Sequence, residues 1–127
     1  MGLYWRRDGT PYPEGDKGLF EWATDLENDK YRRIALDNLP NGVEVSTVWL
    51  GLDHNFSYQR HRPLIFETML FVPQKKVYNV NGKELQFDRE SIGEQWRYST
   101  EEEARRGHKM LVKKWSKFKT ADQVLGK

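Results

Sequence analysis

The stretch Val43–Val72, VEVSTVWLGLDHNFSYQRHRPLIFETMLFV, constrains the fold more than any other part of the chain. It holds two strongly apolar segments separated by a polar loop, and most of a core must come from it. In Val43–Leu52 the residues Val43, Val45, Thr47 and Trp49 share one face of an extended strand, while Glu44, Ser46, Val48, Leu50 and Leu52 share the other. In Pro63–Val72 both faces are apolar, with Leu64, Phe66, Leu70 and Val72 on one side and Ile65, Met69 and Phe71 on the other. That pattern predicts a central strand covered on both sides, with Glu67 as the exception.

A chain of 127 residues is about one domain long, and it can bury enough surface to fold without a staple. The absence of cysteine excludes disulfides and thiolate metal sites. The N-terminal stretch MGLYWRRDGTPYPEG is polar, and no apolar run reaches the roughly 18 residues needed to span a bilayer. A soluble, unprocessed protein with no membrane partner and no cofactor is expected. Net charge is only +2, but residues 104–127 carry +7 and residues 1–103 carry −5. Five Trp, six Tyr and six Phe supply material for either a core or a recognition surface.

Around the central pair the chain punctuates clearly. Leu3–Arg6 is a candidate strand that ends in the turn Asp8-Gly9-Thr10-Pro11. Leu19, Trp22, Ala23 and Leu26 stand at helical spacing within Gly18–Asn28, and Tyr31–Leu36 alternates as a strand. Asn41-Gly42 predicts a tight antiparallel connection into the Val43 strand, and Asn81-Gly82 predicts a second hairpin between Val77–Val80 and Lys83–Phe87. Asp88–Gly93 reads as a loop and Gln95–Ser99 as a further strand. Thr100-Glu101-Glu102-Glu103 fits a capping box, followed by an apolar stripe of Ala104, His108, Leu111, Val112, Trp115 and Phe118. The order predicts one α+β domain over residues 1–127, with 120–127 a frayed tail. Its single antiparallel sheet is a meander plus a peripheral hairpin, and the short N-terminal and long C-terminal helices pack on one face.

Four stretches together, Tyr4–Pro11 (YWRRDGTP), Val45–His54 (VSTVWLGLDH), Pro63–Phe71 (PLIFETMLF) and Arg97–His108 (RYSTEEEARRGH), resemble a set of small proteins encoded by tailed bacteriophages and prophages. The likeness covers most of the chain in one order and departs at Val77–Glu94, which is longer here. It implies an accessory protein acting in the cytoplasm of a bacterial host. It implies no activity, ligand or catalytic residue.

The polar residues define three functional readings. Asp53, His54 and His61 lie in the central loop and Glu67 on the next strand, so a bend could gather carboxylates and imidazoles for a divalent metal or for acid–base chemistry. The spacing matches no known motif, and loop Asp-His pairs commonly brace turns, so structural roles are preferred. Glu67 among apolar neighbours needs a partner, with Arg33, Arg62 or Tyr98 as candidates, or its pKa would rise. His108, inward on the last helix, would form a polar cluster if that helix crossed Glu67 or Asp53. A metal-dependent hydrolase would therefore draw on Asp53, His54, Glu67 and His108. A binding protein for a host factor, plausibly one of antiviral defence, would use the loop Gly51–Arg62 with Trp49, Tyr58, Arg60 and Arg62 as aromatic and arginine anchors. A nucleic-acid binder would use the basic face of the last helix, chiefly Arg106, Lys109, Lys113 and Lys117, although a solvated face is the plainer explanation. The hypothesis of a host-protein partner is preferred. No phosphate-cradling loop, nucleophile elbow or zinc signature is present.

Overall fold

The computed structural model describes residues 4–53 and 62–120, excepting the side chains of residues 73–76, 87–90 and 94. Its elements are helices α1 (Asp16–Glu27) and α2 (Asp29–Arg32), strands β1 (Arg33–Asn38), β2 (Glu44–Trp49), β3 (Phe66–Val80) and β4 (Lys83–Tyr98), and helix α3 (Glu101–Trp115). The strands form one antiparallel sheet in the order β1-β2-β3-β4, so every neighbour in space is a neighbour in sequence. The expected α+β architecture is what forms, with α3 packed across the sheet.

Period-two alternation divides the sheet into two unlike faces. The register pairs Thr47 with Ala35 and Thr68, Val45 with Asp37 and Leu70, and Trp49 with Phe66, which in turn pairs with Tyr98. These residues form the face beneath α3. Two apolar clusters fill that layer. Val43, Val45, Leu70 and Val72 meet Leu111 and Trp115 of α3 at one end, and Ile34, Trp49, Ile65 and Phe66 meet Tyr12 and Ala104 at the other. The opposite face carries Val48, Glu67 and Arg97 in one cross-strand row and Leu36, Ser46, Met69 and Gln95 in the next.

Both ends of α3 are held by side chains. At its start the Thr100 hydroxyl accepts from the Glu103 amide at 3.1 Å, as a capping box requires, but its own proton goes to the Glu103 carboxylate at 3.0 Å. At its end Asn41, from the β1–β2 turn, donates through Nδ2 to the carbonyls of Trp115 (2.9 Å) and Phe118 (2.7 Å) while its Oδ1 accepts from the Val43 amide at 3.0 Å. Asn41 therefore satisfies helix carbonyls that would otherwise lack partners. The Asn-Gly turn thus fixes the helix as well as the hairpin.

Several boundaries differ from the sequence expectation. The strand expected from Tyr31 begins only at Arg33, because the Asn28 side chain caps the turn α2 by accepting from the Lys30 and Tyr31 amides. The expected N-terminal strand is reduced, within the described residues, to two isolated bridges, Tyr4 with Leu52 and Trp5 with Pro11. The expected separate hairpin and the loop at Asp88–Gly93 are both continuous strand: β3 and β4 run 15 and 16 residues, and register shifts at Met69/Phe71 and Pro73/Lys76 absorb the mismatch. The ribbon closes through Asn81 (φ 51°) and Gly82 (φ 78°), the two positive φ values of a type I′ turn. Among the described residues no helix is long and apolar enough to cross a membrane.

Candidate functional site

Beneath α3 a chain of hydrogen bonds crosses three strands. His108 reaches the Asp37 carboxylate through Nε2 at 2.6 Å and the Thr47 hydroxyl through Nδ1 at 2.7 Å. Thr47 in turn meets the Thr68 hydroxyl at 2.6 Å, and the Tyr98 hydroxyl lies beside Thr68. A carboxylate only accepts, so Nε2 carries the proton, and in the neutral ring Nδ1 accepts from Thr47. Thr68 then donates to Thr47, Thr47 to His108 and His108 to Asp37. Burial raises the Tyr98 pKa, an effect that the Thr68 contact partly offsets.

This order of acid, imidazole and hydroxyl matches that of a hydrolytic triad, but burial decides against chemistry. Thr47 and Thr68 are 0% exposed and His108 is 3% exposed, so no substrate atom reaches the hydroxyl that would have to attack it. Only Asp37, with half of its side chain in solvent, stands at the surface. The chain satisfies buried polar groups and fixes where α3 lies on β1, β2 and β3.

The residues assigned to a catalytic cluster are separated. Glu67 neighbours Thr68 in β3 and so points to the face opposite His108, where it pairs with Arg97 (Nε to Oε2, 3.3 Å) rather than with Arg33, Arg62 or Tyr98. Asp53 braces its loop by accepting from the Leu64 amide at 3.1 Å. His54 and His61 lie outside the described residues. Among those described, no group of three or more acidic or histidine side chains comes together as a metal site.

The assigned binding anchors also divide. Trp49 is 0% exposed, and its Nε1 donates to the Trp5 carbonyl at 3.0 Å, so it is core and not a contact residue. Its neighbour Gly51 needs both its positive φ of 70° and its missing side chain, since a Cβ there would overlap the rings of Trp49 and Trp22. Arg62 is exposed and pairs with Glu103 at 2.9 Å. Tyr58 and Arg60 lie outside the described residues. Arg106, Lys109 and Lys113 are exposed on α3, as is Met110, and Lys117 is exposed just beyond its end.

A different site emerges on the sheet face turned away from α3. Leu36, Val48, Leu50, Met69 and Phe71 line a groove of about 340 Å³ there, together with the polar side chains of Arg32, Arg33, Glu44 and Ser46. Alternation along β2 marks these positions in the sequence, but two-sided apolarity in the following strand suggests cover on both faces. The β1 residues that complete the groove lie in a stretch that continues into turn formers.

The amino-terminal segment is clamped to the start of α3 at the edge of the molecule. Arg7 holds Glu101 in a two-point ion pair (2.5 and 3.0 Å) and donates to the Tyr31 carbonyl at 3.0 Å. The Arg7 hydrogen bond, assisted by Arg105, lowers the Glu101 pKa below the usual carboxylate value. Comparison with family models, curated proteins and solved structures finds no match to this chain.

Proposed function

We propose that this chain is a binding protein, without chemistry of its own, that holds a partner protein on the sheet face opposite α3. The observation that carries the reading is the groove whose floor is Leu36, Val48, Leu50, Met69 and Phe71 and whose remaining lining is Arg32, Arg33, Glu44 and Ser46. A solvated antiparallel face normally carries polar residues, and a contiguous apolar patch on a small domain is the usual signature of an interaction surface. The helix-side polar chain supports the same reading, since the triad-like arrangement there is enclosed and serves to hold the scaffold. The resemblance of four stretches to phage proteins supports a partner in the infected bacterial cell, with a component of antiviral defence as the expected target.

Recovery of a partner from bacterial lysate by the tagged protein tests the reading when two variants are run beside it. Met69→Lys places a charge between the neutral neighbours Ser46 and Gln95, and should abolish recovery without unfolding the sheet. Arg106→Glu on the outer side of α3 should leave it unchanged. A partner retained by Met69→Lys, or lost with Arg106→Glu alone, contradicts the assignment of the surface.

A further inference from the structure

The sheet has a short free edge beside that groove. The Leu39 amide donates inward to the Val43 carbonyl at 2.8 Å, and in an antiparallel ladder the inward-bonding residues recur at every second position. Asp37 and Ala35 therefore bond inward to Val45 and Thr47. Leu36 and Asn38 turn their N–H and C=O groups outward, and no strand lies beyond them in the sheet among the described residues. A second groove of about 560 Å³ runs along this edge, lined by Asp29, Lys30, Arg33, Ile34, Ala35 and Leu36. Arg33 and Leu36 line both grooves, so the edge and the apolar face form one continuous surface.

The same two residues set the chemistry of an occupant. Leu36 is 37% exposed, and its side chain faces the apolar groove. Arg33, three positions earlier, is brought to the same face by the irregularity between Arg33 and Ala35. Its guanidinium has no ion pair among the described residues, whereas Arg32 is held by Asp29 at 2.5 Å and Arg97 by Glu67. Strand addition supplies affinity through main-chain bonds and specificity through alternate side chains. A residue paired opposite Leu36 shares its face.

We propose that β1 takes up an extended peptide by antiparallel strand addition, with an apolar side chain opposite Leu36 and an acidic side chain two residues further on against Arg33. This deepens the binding function proposed above and rests on it. The occupant is then a segment of apolar-x-acidic pattern in an otherwise extended, uncharged stretch.

The probe is the blocked peptide acetyl-Thr-Val-Thr-Leu-Thr-Asp-Thr-Val-amide, followed by amide hydrogen exchange and by fluorescence anisotropy of a labelled copy. The peptide should slow exchange at Leu36 and Asn38, and replacing its Asp by Lys should weaken binding about tenfold, as should Arg33→Ala. Asn38→Pro removes an outward amide without touching the β1–β2 ladder, so it should keep the fold and abolish binding. Shifts at Val48 and Met69 without protection at Leu36 and Asn38, or binding that survives Asn38→Pro, would overturn strand addition and leave the groove as a binding face. No response to millimolar peptide would overturn the inference, while the Met69→Lys recovery test judges the wider reading separately. Concentration-dependent protection of the same amides without peptide would assign the edge to a second copy of the chain and overturn the peptide.

Discussion

The two faces of one sheet are built from alternating residues of the same strands, yet they solve opposite problems. On the covered face the polar groups Thr47, Thr68 and His108 are tied to one another and to Asp37 within an apolar layer, with the Tyr98 hydroxyl beside them. On the other face Val48, Leu50, Met69 and Phe71 remain half-buried, beside the ion pair of Glu67 and Arg97. Polarity alone therefore does not locate function in this chain. The buried polar chain fixes the scaffold, and the half-buried apolar residues offer the surface.

The contrast between the faces breaks most sharply under truncation. Phe66→Ala or Leu70→Ala on the covered face should cost about 3–5 kcal/mol of stability, while Met69→Ala on the open face should cost about 1 kcal/mol, both read from urea unfolding. Equal losses would mean that the second face is also core. Gly107→Ala comes next: its Cβ would overlap the Tyr98 ring and hydroxyl, so α3 must shift, at about 1–3 kcal/mol in the same measurement.

Removing one link of the polar chain sharpens the contrast further. Thr47→Val keeps the shape but leaves His108 Nδ1 and the Thr68 hydroxyl without their shared partner, and should cost about 1–3 kcal/mol. Adding His108→Leu should recover part of that loss in a double-mutant cycle, because the stranded imidazole is then gone.

The smallest effect belongs to the Arg7–Glu101 clamp. Because folding lowers the Glu101 pKa from 4.5, its contribution is present above that value and is lost as pH falls through the folded pKa. Glu101→Gln should therefore lower the melting stability by about 1 kcal/mol at neutral pH. The gap to the parent should close as the solution is acidified below pH 4.5. A pH-independent gap would show that packing, not charge, carries the contact.

Much of this architecture is legible in the residues themselves. The 3.6 period of Ala104, His108, Leu111 and Trp115 and the Thr100–Glu103 cap give α3, and alternation gives β2 and the start of β3. That same alternation places Trp49 with Val43, Val45 and Thr47, and so already argues for core against its reading as a contact anchor. What stays hidden depends on register between distant strands. Asp37 lies in a run of turn formers, and nothing local reveals that it meets a histidine 71 positions later. The Glu67–Arg97 pair is likewise set by β3–β4 register, which bulges shift twice. The length of β4 escapes for a related reason: a polar segment that looks like a loop becomes strand when a long partner templates it.

The most direct test of an open apolar face is the response of methyl groups to a neutral soluble paramagnetic agent. The methyl signals of Val45, Leu70 and Thr47, beneath α3, should be protected, while those of Leu36, Val48, Leu50 and Met69 should broaden. Uniform protection of both sets would contradict the open face and the binding function built on it.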